Sequence, residues 1–214
     1  MHGGITGLET LDKSVDGGMN WSHSLFKRMG VFPGCVLELV VDPQNSGHLY
    51  AAFLYGGVFK STDAGATWNA ANSGLIPGNA VAVYNAVALA IDPVSPSTVY
   101  TVSSSGVFKS NDGGMSWNPA SSGLPDWSRE LEYPGFLPRL AVDPQNSARV
   151  YLGISVDGVD HVFQSSDGGA SWSDSLVGSG SNWIFGLAIR SQGPGTVYAG
   201  TNQGLFAMTF PPEP

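Results

Sequence analysis

The stretch SGLPDWSRELEYPGFLP (122–138) places Asp126, Trp127, Arg129, Glu130, Glu132 and Tyr133 close together in one irregular segment. Aromatic rings stack on sugar faces, and carboxylates accept from hydroxyls or donate a proton, so this interleaving suits a carbohydrate. Trp127, Arg129 and Tyr133 are the candidate ligand contacts. Glu130 and Glu132 are candidate acid and base, although two positions of separation in a loop do not fix their distance. The competing reading is a solvated loop with Trp127 folded back onto its scaffold. A second segment, SVDGVDH (155–161), contributes Asp160 as a further catalytic candidate and Asp157 and His161 as ligand contacts. Carboxylates beside Asp-Gly could hold calcium, but the oxygen spacing of a calcium loop is missing. A plain Asp-Gly hairpin and no metal site is the expectation.

Other chemistries lack their signatures. There is no Gly-x-Ser-x-Gly, no phosphate-binding glycine loop and no Cys/His dyad. The single cysteine, Cys35, lies in the apolar run GCVLELVV and reads as a core residue. No cofactor is expected. The net charge of −8 repels a phosphate backbone and an anionic bilayer, so neither nucleic acid nor membrane is an expected partner. No apolar run reaches spanning length. The start, MHGGITGLET, has neither a basic segment nor an apolar one, so no export signal is visible.

The segments that must position these residues repeat. SVDGGMNW (14–21), STDAGATW (61–68), SNDGGMSW (110–117) and SSDGGASW (165–172) share Ser-x-Asp-x-Gly-x-x-Trp, with the aspartates 47, 49 and 55 apart. LELVVDP, VALAIDP and RLAVDP place Asp42, Asp92 and Asp143 before prolines. Short runs carry Tyr50, Tyr100, Tyr151 and Tyr198, and GVFKS, GVFKS, HVFQS and GLFAM come after them. A unit of about 50 residues therefore reads as strand A ending in Asp-Pro, strand B with tyrosine, strand C, the Ser-x-Asp turn and strand D. With 29 glycines and only 12% charged residues, the composition suits short strands joined by tight turns. Four antiparallel strands per unit of this length is the pattern of a propeller blade. The fold class is all-β, a β-propeller of four-stranded antiparallel blades, about four of them, in a partial or self-closed ring.

These motifs resemble those of the Asp-box (BNR) repeat propellers, a superfamily of sialidases, xyloglucanase-type glycoside hydrolases, sortilin-like receptors and photosystem II assembly factors. The resemblance implies an extracytoplasmic protein, secreted or periplasmic. The sialidase arginine triad and Phe-Arg-Ile-Pro start are missing, and no xyloglucanase carboxylate pair can be placed.

The turns themselves read as structural. Asp63 can accept from the N–H groups of its own turn and Ser61 can do so more weakly, Gly65 adopts a conformation a Cβ opposes, and Trp68 packs on the blade with an indole N–H to satisfy. Ser14, Asp16, Gly18 and Trp21 take the same roles, as do Ser110, Asp112, Gly114 and Trp117, and Ser165, Asp167, Gly169 and Trp172. A catalytic device is rarely needed four times around one ring. Any site then belongs on the face opposite these turns, where the B–C and D–A connections lie.

One domain over 1–214 is expected, with full blades about 35–72, 86–120 and 138–176 and blade fragments at 5–30 and 183–210. About 17 strands leave three arrangements: a segment of a longer propeller, a self-closed four-blade ring, or two chains sharing an eight-blade ring. The functional expectation is a non-catalytic binding or scaffold module for a polysaccharide or protein partner. The alternative is a xyloglucanase- or sialidase-like glycoside hydrolase with loop carboxylates as acid and base.

Overall fold

The structure is a computed structural model that describes residues 10–25, 36–54, 56–75, 86–127, 138–156, 158–177, 184–190 and 195–209. Cys35 lies outside them. Among the described residues every regular element is a strand. β1 (Thr10–Lys13) pairs with β2 (Ser22–Leu25). β3 (Val36–Val41), β4 (Leu49–Phe53), β5 (Gly57–Ser61) and β6 (Asn69–Ala70) form a four-stranded antiparallel sheet in chain order. So do β7 (Ala86–Ile91), β8 (Val99–Ser103), β9 (Gly106–Ser110) and β10 (Asn118–Pro119). β11 (Arg139–Asp143), β12 (Asn146–Val156), β13 (Val159–Ser165) and β14 (Ser173–Val177) form the third. β15 (Ile184–Arg190), β16 (Thr196–Thr201) and β17 (Gly204–Thr209) form a three-stranded sheet.

The repeat sets these spans. The apolar run before each Asp-Pro is strand A, the tyrosine run is strand B, and the Val-Phe run is strand C. Strand D is shorter than its sequence suggests, two residues in β6 and β10. Pro119 is tolerated there because β10 is an edge strand and needs no outward N–H.

In the three four-stranded sheets the A–B turn is built on the aspartate before proline. Asp42 Oδ1 accepts from the N–H of Gln44 at 2.8 Å and of Asn45 at 3.2 Å. Asp92 Oδ1 accepts from Val94 and Ser95 at 2.9 and 3.2 Å, and Asp143 Oδ1 from Gln145 at 2.9 Å. All three carboxylates are buried, and these N–H groups replace the water they lose.

The A strands stand beside one another, β3 against β7, β7 against β11 and β11 against β15. The sheets therefore stack face to face, and the core fills the spaces between them. One layer joins Tyr50, Ala52 and Val58 to Leu89, Phe108 and Trp117 of the next sheet. Another joins Tyr100, Val102 and Val107 to Leu152, Phe163 and Trp172. A third joins Tyr151 and Val162 to Ile184, Val197 and Ala199. Each aliphatic or Phe side chain so buried contributes about 1.5–3 kcal/mol, and neither sheet of a pair could bury that face alone.

Candidate binding face

The four Ser-x-Asp turns hold themselves. In the second, Ser61 Oγ donates to Asp63 Oδ1 at 2.8 Å and accepts from Gly65 N–H at 2.8 Å. Asp63 Oδ1 also accepts from Thr67 N–H at 2.8 Å, and Oδ2 from the Thr67 hydroxyl at 2.5 Å. Asp112 and Ser116, and Asp167 and Ser171, repeat this, while Asn20 takes the place of the hydroxyl residue at Asp16. The hydrogen bonds from Thr67, then from Ser61, hold the Asp63 carboxyl down at about 2. Asp112 and Asp167 are held at about 2 by Ser116 and Ser171, and Asp16 by Asn20. A carboxylate with both oxygens engaged and so weak a proton affinity is a poor base and a poor acid near neutral pH. The glycine at the fifth place of each turn, such as Gly65 at φ +86°, supplies the left-handed conformation.

These turns share a rim with the A–B turns. The fourth residue of each later turn donates its N–H to the A–B turn of its own sheet: Ala64 to Gly47 O, Gly113 to Ser97 O and Gly168 to Ala148 O, at 2.8–2.9 Å. The B–C turns therefore lie at the other rim, and the D–A connections reach it too, since the Trp127 indole N–H donates to Ser103 O at 3.1 Å.

That bond corrects the expectation for Trp127. Trp127 is 2% exposed and belongs to the core cluster that also holds Val102, Ile154 and Phe163, so it offers no face to a sugar. Arg129, Glu130, Glu132, Tyr133 and Asp157 lie outside the described residues. Val156 pairs with Val159, and Gly158 has φ +76°. His161 Nδ1 lies 2.8 Å from Asp174 Oδ2, and its ring stacks on Phe163 at 5.5 Å between centroids. Among the described residues no group of His, Cys, Asp or Glu could hold a metal ion.

Asp160 is the expected site residue whose surroundings leave the most chemistry open. It is buried opposite Ser155 in the ladder, and its Oδ1 accepts from the Ser155 hydroxyl, while Oδ2 has no hydrogen-bond partner. Ser104 Oγ, in the B–C turn of the preceding sheet, is likewise buried and unpartnered. Both atoms sit at the rim opposite the Ser-x-Asp turns.

The inner strands add two charged residues that sequence reasoning passed over. Glu38 and Arg139 stand four positions before Asp42 and Asp143, the same place in two units, with Ala88 at that place in the unit between. Glu38 Oε2 accepts from Leu89 N–H at 2.7 Å. Burial pushes the Glu38 carboxyl up, opposed by that N–H and by the Arg139 charge. Arg139 donates from Nε to Phe185 O at 2.9 Å and from Nη1 to Pro138 O at 3.1 Å. A charged residue interrupting an apolar run, LELVV or RLAV, was the available signal.

No protein-family model matches the chain, and no curated protein matches it. Solved structures do. A GH74 enzyme of Niastella koreensis superposes with a TM-score of 0.61 at 21% identity, over 81% of this chain and 28% of that one. An ancestral GH74 enzyme gives 0.62 at 20% identity, over 94% of this chain and 28% of that one. A chain of a nidogen/laminin complex gives 0.59 at 11% identity, over 87% and 64%. This chain thus spans under a third of the length of the two GH74 enzymes. At these identities the likeness shows architecture alone, and with the stacked sheets described above it establishes an all-β propeller of antiparallel blades.

Proposed function

We propose that this protein is a non-catalytic propeller module that binds a glycan or protein partner at the rim opposite the Ser-x-Asp turns. The carrying observation is the contrast between the rims. The aspartate turns satisfy their own polar atoms, whereas the B–C rim leaves Asp160 Oδ2 and Ser104 Oγ buried without partners. Buried polar atoms are nearly always paired, with protein or with water, so these two exceptions single out the B–C rim. A sugar hydroxyl or a peptide N–H would supply a donor to Asp160. Glu38 and Arg139, at the inner strands, would extend the same face.

On this reading the turns are Asp boxes of the BNR type and serve as architecture. The chain forms one domain over 1–214, and an extracytoplasmic place suits a glycan-binding role. Among the described residues no helix is long and apolar enough to cross a membrane. The resemblance to glycoside hydrolases keeps one alternative open: Asp160 as one of two carboxylates facing a cleft, with its partner among Glu130, Glu132 and Asp157.

Binding of the full chain to immobilised polysaccharides and to a peptide library tests the proposal. Asp160→Asn and Ser104→Ala are expected to weaken the captured interaction by about tenfold or more while the unfolding midpoint changes little. Unchanged binding in both variants would remove the B–C rim from consideration. Release of reducing ends from a polysaccharide, lost in Asp160→Asn, would establish the hydrolase instead.

A further inference from the structure

Consecutive sheets are joined by a repeated grip. One face of a sheet presents a tyrosine, the residue two positions on, and a branched residue on the neighbouring strand: Tyr50, Ala52 and Val58, then Tyr100, Val102 and Val107, all buried. The tyrosine hydroxyl donates to the carbonyl of the fourth residue of the next Ser-x-Asp turn, Tyr50 to Gly113 O at 3.0 Å and Tyr100 to Gly168 O at 2.9 Å. The lysine opposite each tyrosine donates to the same oxygen, Lys60 at 2.7 Å and Lys109 at 2.8 Å. Lys13 donates to Ala64 O at 2.8 Å, the equivalent atom of the second turn. From the other side, the Trp117 and Trp172 indoles donate to Ala71 O and Ala120 O, both at 2.7 Å.

Two halves of this grip are unmatched. On the β15–β17 sheet, Tyr198, Gly200 and Leu205 occupy the three positions, as their registers with Ala207 and with each other show. Leu205 is 71% exposed where Val58 and Val107 are fully buried. None of the hydrogen bonds of the described residues reaches the Tyr198 hydroxyl. At the other end of the fold, the Ser14–Trp21 turn is closed like its siblings, yet Trp21 is 59% exposed against 5%, 2% and 6% for Trp68, Trp117 and Trp172. Its indole turns back on Gly18 O at 3.0 Å. Trp68 also bonds within its own turn, at Gly65 O, but its ring is covered. Gly17 O, the equivalent of Gly113 O and Gly168 O, receives no tyrosine or lysine among the described residues.

We infer that the exposed face of the β15–β17 sheet docks the Ser14–Trp21 turn of a second copy of this chain. Tyr198 supplies the donor for Gly17 O, and Leu205 and Gly200 supply the apolar floor for the Trp21 ring. The occupant is a copy because this chain itself carries the matching turn, with Gly17 and Gly18 left-handed as in Gly113 and Gly114. Two different surfaces meet, so the contact is heterologous, and copies joined through it either close a ring or extend as a filament. The net charge of −8 on each copy opposes the contact, so added salt strengthens it. The inference stands apart from the ligand reading of the other rim.

Sedimentation equilibrium of the full chain across a concentration series is the test. Multiples of the single-chain mass are expected. Trp21→Ser and Leu205→Asp, both at exposed positions, are each expected to reduce the protein to single chains. Tyr198→Phe, the gentlest change, weakens association about fivefold. An equimolar mixture of Trp21→Ser and Leu205→Asp is expected to recover association as pairs and nothing larger, because each chain retains the surface its partner lacks. A single-chain mass at every concentration overturns the inference. So does association of either variant alone at the wild-type level, or a mixture that remains single chains while the wild type associates.

Discussion

The shared acceptor between sheets makes a quantitative demand. Gly168 O accepts from both the Tyr100 hydroxyl and the Lys109 ammonium, at 2.9 and 2.8 Å, and the tyrosine is fully buried. Tyr100→Phe removes one donor but leaves the carbonyl satisfied by the lysine, so the loss is that of an ordinary hydrogen bond, about 1 kcal/mol. Lys109→Met leaves the tyrosine in place and costs about 1 kcal/mol, plus ~0.5 kcal/mol for the ammonium lying 5.4 Å from the Tyr100 ring centre. The double variant strands the carbonyl between two sheets and adds the penalty of a buried unsatisfied acceptor, about 1–2 kcal/mol beyond the sum. Urea unfolding of the four proteins, monitored by circular dichroism, closes the cycle. The Tyr50 and Lys60 pair, which shares Gly113 O, should repeat the result. A coupling below ~0.3 kcal/mol at both junctions would mean that the two donors do not share one acceptor, and the account of the grip would be wrong.

Three further outcomes are expected of the same structure. Gly123 has φ +88°, and a Cβ there would overlap the Trp172 carbonyl oxygen, so Gly123→Ala should cost about 2–4 kcal/mol in thermal or urea unfolding, with Gly74→Ala behaving alike against Trp117 O. The turn aspartates have folded values near 2 against an ordinary 3.8, so their contribution is complete above about 4 and is lost as pH falls through about 2; an acid titration should show this loss, and Asp112→Asn should lessen it while Asp16, Asp63 and Asp167 retain theirs. Glu38 is shifted the other way, so its protonated form suits the fold better, the contribution is present below its ordinary 4.5, and it declines as pH rises; Glu38→Gln should therefore raise the urea midpoint at pH 7 and leave it unchanged at pH 4.

Much of the architecture could be read in advance because it is periodic. The apolar run, Asp-Pro, tyrosine and Val-Phe landmarks each recur about every 50 residues, and each became the strand or turn expected of it. The short polar side chain at the seventh place of the turn, Asn20, Thr67, Ser116 or Ser171, recurs equally well and proves to be a main holder of the aspartate. The lysine before the turn at 13, 60 and 109 also recurs, but its acceptor lies on another sheet, and no local pattern names a partner 51 to 59 residues away. Trp127 was ambiguous for a different reason. A tryptophan in a long loop has the same spelling whether it meets a ligand or the core, and only the position of Ser103 O decides between them. The rim proposed for binding was legible, since strand connectivity assigns the turns. Its atoms were not, because an unpartnered Asp160 oxygen is a property of packing.

The grip between sheets joins residues of one unit only to residues of the next. A gene segment of about 50 codons, copied in frame, would therefore bring with it a donor pair for the unit downstream and an acceptor turn for the unit upstream. Such a duplication would insert a blade whose two new seams are already chemically complete. Lengthening by whole units is thus the change this design admits most readily, while insertion of a fraction of a unit would break a seam on one side.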